Sequence, residues 1–227
     1  MLLLFVLGTL LILALLGYAT YQSGKLLNSV PLRDNLLLAP VENLVKGVLV
    51  VVCVALALAS GLPADLFGWA SASPFTQLAA GIMAGLATHF VATLITPWAI
   101  SHWGKSVYST VVIKNIYPRS RREWLLAPAA MFLAVLLEEV LFRSLLLGGF
   151  SAFVPGALLV AGLAIVFGLM HSAQGPLGMV VSAVIGVEFS LLFLWSGSLL
   201  VPLVAHYTVN MLQLLRAHEE WRWIEEY

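Results

Sequence analysis

The stretch FLAVLLEEVLFR, Phe132 to Arg143, sits inside a run from Trp124 to Phe150 that otherwise has the composition of a membrane helix. An ionisable side chain near a bilayer centre costs about 2.5–3.5 kcal/mol on insertion scales. Three such groups, Glu138, Glu139 and Arg143, share this one segment. Their reason for being there has to come from what else the chain buries at similar depth.

Of the 227 residues, 61% are hydrophobic and 10% charged, whereas soluble domains run near 45–50% apolar and about 25% charged. The chain therefore reads as an integral membrane protein. The formal net charge is zero, and no basic run is long enough to suggest a nucleic-acid partner. Cys53 is the one cysteine, which excludes an internal disulfide and a thiolate zinc site. The opening MLLLFVLGTLLILALLGYA lacks both the positive flank and the cleavage site of a signal peptide, and is taken as the first membrane helix.

About 20 apolar residues cross the hydrocarbon core. On that ruler the chain offers seven candidate spans, near 2–19, 44–60, 78–98, 124–147, 155–171, 177–195 and 198–215. Apolar runs without period-two alternation favour helices over a barrel, so the expected fold is all-α, a polytopic bundle of about seven transmembrane helices. Pro31, Pro40, Pro63, Pro74, Pro118, Pro155 and Pro176 punctuate the connections, with Pro97, Pro128 and Pro202 expected close to helix ends. Lys25, Arg33 and Lys46 flank the first connection, and Lys105, Lys114, Arg119, Arg121 and Arg122 populate the third. The second connection, LPADLFGWASASPF, has no basic residue. By the positive-inside rule this places the N-terminus outside and the C-terminus in the cytoplasm.

Among the polar or ionisable groups of the last four spans, six are Glu138, Glu139, Arg143, His171, His206 and Asn210. Glu139 and Arg143 are four apart and share a helix face, so they can pair and lower each other's burial cost. Glu138 is turned about 100° away and is free to point elsewhere. His206 and Asn210 are again four apart, as are Phe167 and His171. Taken singly, each group has a structural explanation, such as an ion pair pinning helices, an interfacial histidine or an interhelical amide. Six together point to a site. The only aspartates, Asp34 and Asp65, lie in connections, which removes an intramembrane aspartyl pair. There is no G-x-S-x-G elbow, and His218–Glu219 does not continue into an H-E-x-x-H zinc helix. A carboxylate, two histidines and an amide remain, a set suited to activating water and stabilising an oxyanion.

The ordered motifs E-E-x-x-x-R (Glu138 to Arg143), F-x-x-x-H (Phe167 to His171) and H-x-x-x-N (His206 to Asn210) resemble those of the CPBP (ABI) family. That is the CAAX protease and bacteriocin-processing group of glutamic-type intramembrane endopeptidases. The resemblance covers about residues 120–213 and departs from no motif position. It divides the chain into N-terminal helices without a recognised motif (1–119), a catalytic helical core (120–213) and an interfacial cytoplasmic tail (214–227). It implies that Glu138 is the general base and that His171 helps hold and activate the water. His206 and Asn210 would donate to the oxyanion, with Glu139 and Arg143 organising the site. It implies no cofactor and no metal.

The expected activity is hydrolysis of a peptide bond in a membrane-associated or lipid-anchored protein or peptide. The expected partners are the lipid bilayer and a substrate with a membrane-associated terminus, and the expected location is a bacterial cytoplasmic membrane. Three other readings stay open: a proton- or cation-coupled transporter, a non-catalytic scaffold, and a zinc-dependent protease using the same His and Glu residues. Glu188 and His89 occupy no motif position, and each is a candidate for lining a cavity.

Overall fold

The apolar runs fold as helices in a computed structural model that describes residues 1–29, 34–71 and 73–227, with the backbone alone of Asn28. Pro31 and Arg33 lie outside the described residues. In chain order the helices are α1 Leu2–Ser29, α2 Pro40–Ala59, α3 Pro74–Trp103, α4 Val111–Ile116, α5 Arg121–Glu139, α6 Gly156–Met170, α7 Gly175–Ser196, α8 Leu200–Glu219 and α9 Trp221–Glu226. The molecule is a polytopic helical bundle. Seven of these helices occupy the seven apolar runs, and among the described residues five segments are long and apolar enough to cross a membrane: Leu2–Leu27, Pro40–Ala59, Pro74–Trp103, Arg121–Ala152 and Ser172–Ser196. The expected all-α bundle is thus present, with a helix on each of the seven runs and five segments of full spanning length. Helix α6 has 15 residues and rises about 22 Å, less than the roughly 30 Å of a hydrocarbon core. Helix α8 is long enough but interrupts its apolar surface with His206, Asn210, Gln213 and Arg216.

Two prolines also differ from expectation. Pro97 and Pro128 lie inside α3 and α5, which continue past them. A membrane helix tolerates a missing N–H better than a soluble one does; the Tyr207 hydroxyl also donates to the Pro128 carbonyl, at 3.3 Å, tying α8 to α5 at this level. Pro202 sits in the first turn of α8, where it removes no helical hydrogen bond.

Helix α3 lies against α8 along the buried face formed by Gly81, Gly85 and Thr88. A Cβ at Gly81 would stand 2.8 Å from the Val201 carbonyl oxygen, and one at Gly85 would stand 2.6 Å from that of Ala205. This is the small-x-x-x-small contact by which membrane helices bring their backbones together when lipid supplies no hydrophobic drive. Gly85→Leu should force the two helices apart and cost about 1–3 kcal/mol, as overpacking does. The readout is a lowered unfolding midpoint in detergent, and an unchanged midpoint would mean that the contact has slack.

Beyond Glu139 the fifth helix widens into a π-helical segment, Val140–Gly148, every residue of which is buried. Such segments are rare and cluster at functional sites. The connection after α2 holds it in place. The Ser144 hydroxyl donates to the Phe67 carbonyl at 2.6 Å and accepts the Trp69 indole N–H at 3.1 Å. Gly148 lies so close to this connection that a Cβ there would stand 2.0 Å from the Leu66 carbonyl oxygen.

At the opposite end of the bundle the C-terminal segment folds back on the connection between α3 and α5. Tyr117 stacks on Trp221 at 4.0 Å and its hydroxyl lies 2.6 Å from His218 Nδ1. The Tyr227 hydroxyl donates to the Lys105 carbonyl at 2.5 Å.

Candidate active site

Helix α5 begins with a capping box. The Ser120 hydroxyl accepts the Glu123 N–H at 3.2 Å, while the Glu123 carboxylate accepts the Arg119 N–H at 2.9 Å. This start fixes the register that carries Glu138 and Glu139 about 26 Å along the helix. The two adjacent glutamates then meet different surroundings. Glu139 is 0% exposed, and its Oε1 accepts from Arg143 Nη1 at 3.1 Å and from His206 Nδ1 at 2.8 Å. Glu138 keeps its side chain 35% exposed, and its Oε2 stands 3.8 Å from His206 Nε2, outside hydrogen-bond range.

Arg143 is 1% exposed. It donates from Nη2 to the Gly186 carbonyl of α7 at 3.3 Å. Its guanidinium lies 5.2, 5.6 and 5.9 Å from the ring centroids of Phe167, Phe189 and Phe142. Aromatic faces attract a desolvated cation, so α5, α6 and α7 all close on this one charge. A carboxylate oxygen can only accept, so the Glu139 contact places a proton on His206 Nδ1. The His206 ring also lies 5.3 Å from that of Phe189 and 6.1 Å from that of Phe167.

His171 ends α6. Its Nδ1 lies 2.7 Å from the Phe167 carbonyl oxygen, which can only accept, so Nδ1 carries the proton and Nε2 offers a lone pair. The Phe167 ring lies 4.6 Å from His171 and 6.1 Å from His206, and so stands between the two histidines. Asn210, one turn beyond His206, directs its amide to the Met131 sulfur of α5 at 3.6 Å, a weak contact that leaves its donors largely unused. Thus Glu138, Glu139, Arg143 and His206 meet directly, His171 joins through Phe167, and Asn210 lines the same α5–α8 seam. Among the described residues, the buried Glu138 Oε2, Glu139 Oε2 and Arg143 Nε have no hydrogen-bond partner.

Residues 120–212 match the Rce1-like family, the type II CAAX prenyl endopeptidases. No curated protein and no solved structure matches the chain. The Rce1-like segment opens at the N-cap of α5 and closes two residues beyond Asn210, so all six polar groups fall inside it. At family level this match supports a CAAX-type endopeptidase, a hydrolase. The remaining parts of the chain, α1 to α4 and the C-terminal tail, lie outside the Rce1-like segment.

Several groups that build this site escape a reading of the motifs. Phe189 and the Gly186 carbonyl, both on α7, hold Arg143, although no motif residue comes from that helix. The aromatic at 189, placed beside the conspicuous Glu188, is the one signal that could have drawn attention to it. Glu188 itself faces the other way. Its carboxyl lies 2.6 Å from the Thr88 hydroxyl of α3, which is also 2.8 Å from the Ala84 carbonyl. Thr88 has a single proton for these two acceptors, and a protonated Glu188 carboxyl satisfies both contacts at once. His89, next along α3, lies apart from the cluster, with a buried Nδ1 that has no partner among the described residues.

Proposed function

We propose that the chain is a metal-independent glutamic-type endopeptidase that cuts a membrane-associated or lipid-anchored protein or peptide by glutamate-activated water. The observation that carries this reading is the unequal placement of the two adjacent glutamates around His206. Glu139 is occupied by Arg143 and His206 Nδ1, whereas Glu138, 3.8 Å from His206 Nε2, keeps an oxygen free to take a proton. Glu138 removes a proton from water, with His171 Nε2 as a second acceptor that orients it. The hydroxide adds to the scissile carbonyl. The resulting oxyanion needs donors, which the Asn210 amide supplies, together with His206 Nε2 when the ring is imidazolium. Glu138 then passes its proton to the leaving amine as the carbon–nitrogen bond breaks. Glu139 and Arg143 position His206 throughout.

In this reading residues 120–213 form the catalytic core, residues 1–119 buttress it through the α3–α8 contact, and residues 214–227 lie at the membrane surface. We place the protein in a bacterial cytoplasmic membrane. The basic end of the bundle, with Lys105, Lys114, Arg119, Arg121, Arg122 and the C-terminus, faces the cytoplasm, and the N-terminus lies outside. The test compares membrane-protein termini in cells carrying the wild-type chain and Glu138→Ala. New termini should appear only with the wild type, and the purified enzyme should keep cleaving its substrate in the presence of chelators. Identical termini would favour a scaffold. Reversible loss on chelation, with metal found in the purified protein, would favour a zinc enzyme.

A further inference from the structure

A cavity of about 570 Å³ opens at the end of the bundle that holds the C-terminus, between α3, α4, α7, α8 and the folded-back tail. Its volume is that of a ligand site. Only its α7 wall, from Gln174 to Val181, falls within the Rce1-like segment; the rest of the lining lies outside it. Along α3 the lining runs from His89 to Ser101, a length of about 18 Å. His89, at one end of this lining, stands apart from the Glu138–His206 cluster, but two other lining residues follow site residues closely along the chain. Gln213 is one turn beyond Asn210 on α8, and Gln174 is three residues beyond His171.

The lining is neither a lipid slot nor a charged basin. Apolar surface from Ile100, Val112 and Val181 is interrupted at every level by groups that can hydrogen-bond. At the His89 end, Nδ1 is buried and has no partner among the described residues. The Gln174 and Gln213 amides carry both donors and acceptors. Pro97 has no N–H, which deprives the Thr93 carbonyl of its usual helical donor. At the outer end Glu220 takes Arg216 Nε at 3.0 Å, and the guanidinium's two terminal nitrogens remain for a further acceptor. Burial, more than its neighbours Tyr227 and Glu220, raises the titration of the Tyr108 phenol beside them, which stays an O–H donor. Mixed donors and acceptors at intervals suit a polypeptide backbone, which repeats one of each per residue. A hydrocarbon chain would leave them all unsatisfied.

We infer that this cavity holds an extended stretch of about five residues of the substrate, at about 3.3 Å per residue, running from the scissile bond to the bundle end, with a carboxylate seated on Arg216 and Tyr108. This rests on the endopeptidase reading for the direction of the chain but not for the binding itself. The carboxylate is either the substrate's own C-terminus or an acidic side chain.

The test uses full-length Glu138→Gln protein in detergent and four pools of fluorescein-labelled random hexapeptides. One pool has a free C-terminus and one is amidated. Two further amidated pools are enriched in Asp and Glu, or in Asn and Gln. The free-carboxyl pool should bind at least tenfold more tightly than its amidated counterpart, or the acidic pool more tightly than its amide counterpart, and the pair that differs names the source of the carboxylate. Arg216→Gln should abolish that preference, and Val181→Phe should weaken every pool by filling the cavity. Independently of whether these variants fold, a cysteine introduced by Ser101→Cys should be shielded from maleimide by the preferred pool. Absence of any preference for carboxylate, or no shielding of the new cysteine, would overturn the inference. If binding behaves as expected but Glu138→Gln cleaves as well as the wild type, the hydrolase reading fails and the binding site stands.

Discussion

Glu138→Gln yields a folded protein that cleaves at least about a hundredfold more slowly than the wild type. Glutamine keeps the shape and volume of the side chain but cannot accept a proton from water. The position makes few demands on the fold, because Glu138 is one-third exposed and makes no hydrogen bond to His206. The unfolding midpoint in detergent should therefore hardly move while the single-turnover rate collapses. Glu139→Gln provides the contrast. Its carboxylate serves Arg143 and His206 together, so an amide there leaves a buried guanidinium without its counter-charge, and stability and activity should fall together. A rate equal to wild type for Glu138→Gln would remove the general base from the mechanism.

Arg143→Ala should be the most damaging substitution to the architecture. Removing one partner of a buried ion pair costs about 3–5 kcal/mol, and here the loss is compounded. The guanidinium fills a space bounded by Phe142, Phe167 and Phe189 and bonded to the Gly186 carbonyl. Its removal leaves Glu139 charged at 0% exposure with only His206 to answer it. The expected result is poor recovery from membranes, a strongly lowered midpoint and no measurable turnover. Arg143→Lys should restore part of the stability, since charge returns without the planar fork that reaches both Glu139 and Gly186. Full stability and turnover in Arg143→Ala would show that the pair is dispensable.

Much of this arrangement is legible in the one-dimensional pattern, because helical periodicity fixes which side chains can meet. The i,i+4 spacing of Glu139 and Arg143 anticipates their contact, and the length of each apolar run anticipates the helix it forms. What spacing cannot state is which helix an unpaired face will choose. His206 could have faced any neighbour, and its position between two adjacent glutamates arises only from the packing of α8 on α5. The α3–α8 contact is written as GIMAG, Gly81 to Gly85, yet a pair of glycines in an apolar run carries too little information to single out a partner. The π-helical turn after Glu139 has no signature in the residue types, and it depends on Ser144 and Gly148 meeting a connection far away in the chain. The shortness of α6 follows from Pro155 at its start and His171 at its end, which binds the carbonyl of its own preceding turn and stops the helix.

The unequal environments of Glu138 and Glu139 have an evolutionary consequence. The residue bound to both Arg143 and His206 and the residue proposed to activate water are neighbours in sequence but differ in how much of the fold depends on them. A single-nucleotide change turns a glutamate codon into a glutamine codon, and at position 138 it would silence turnover while sparing the scaffold. The same change one codon later would be purged as a folding defect. A lineage can therefore shed its activity in one step and keep a well-formed membrane receptor for the former substrate, so descendants that bind without cutting lie one mutation away from this chain.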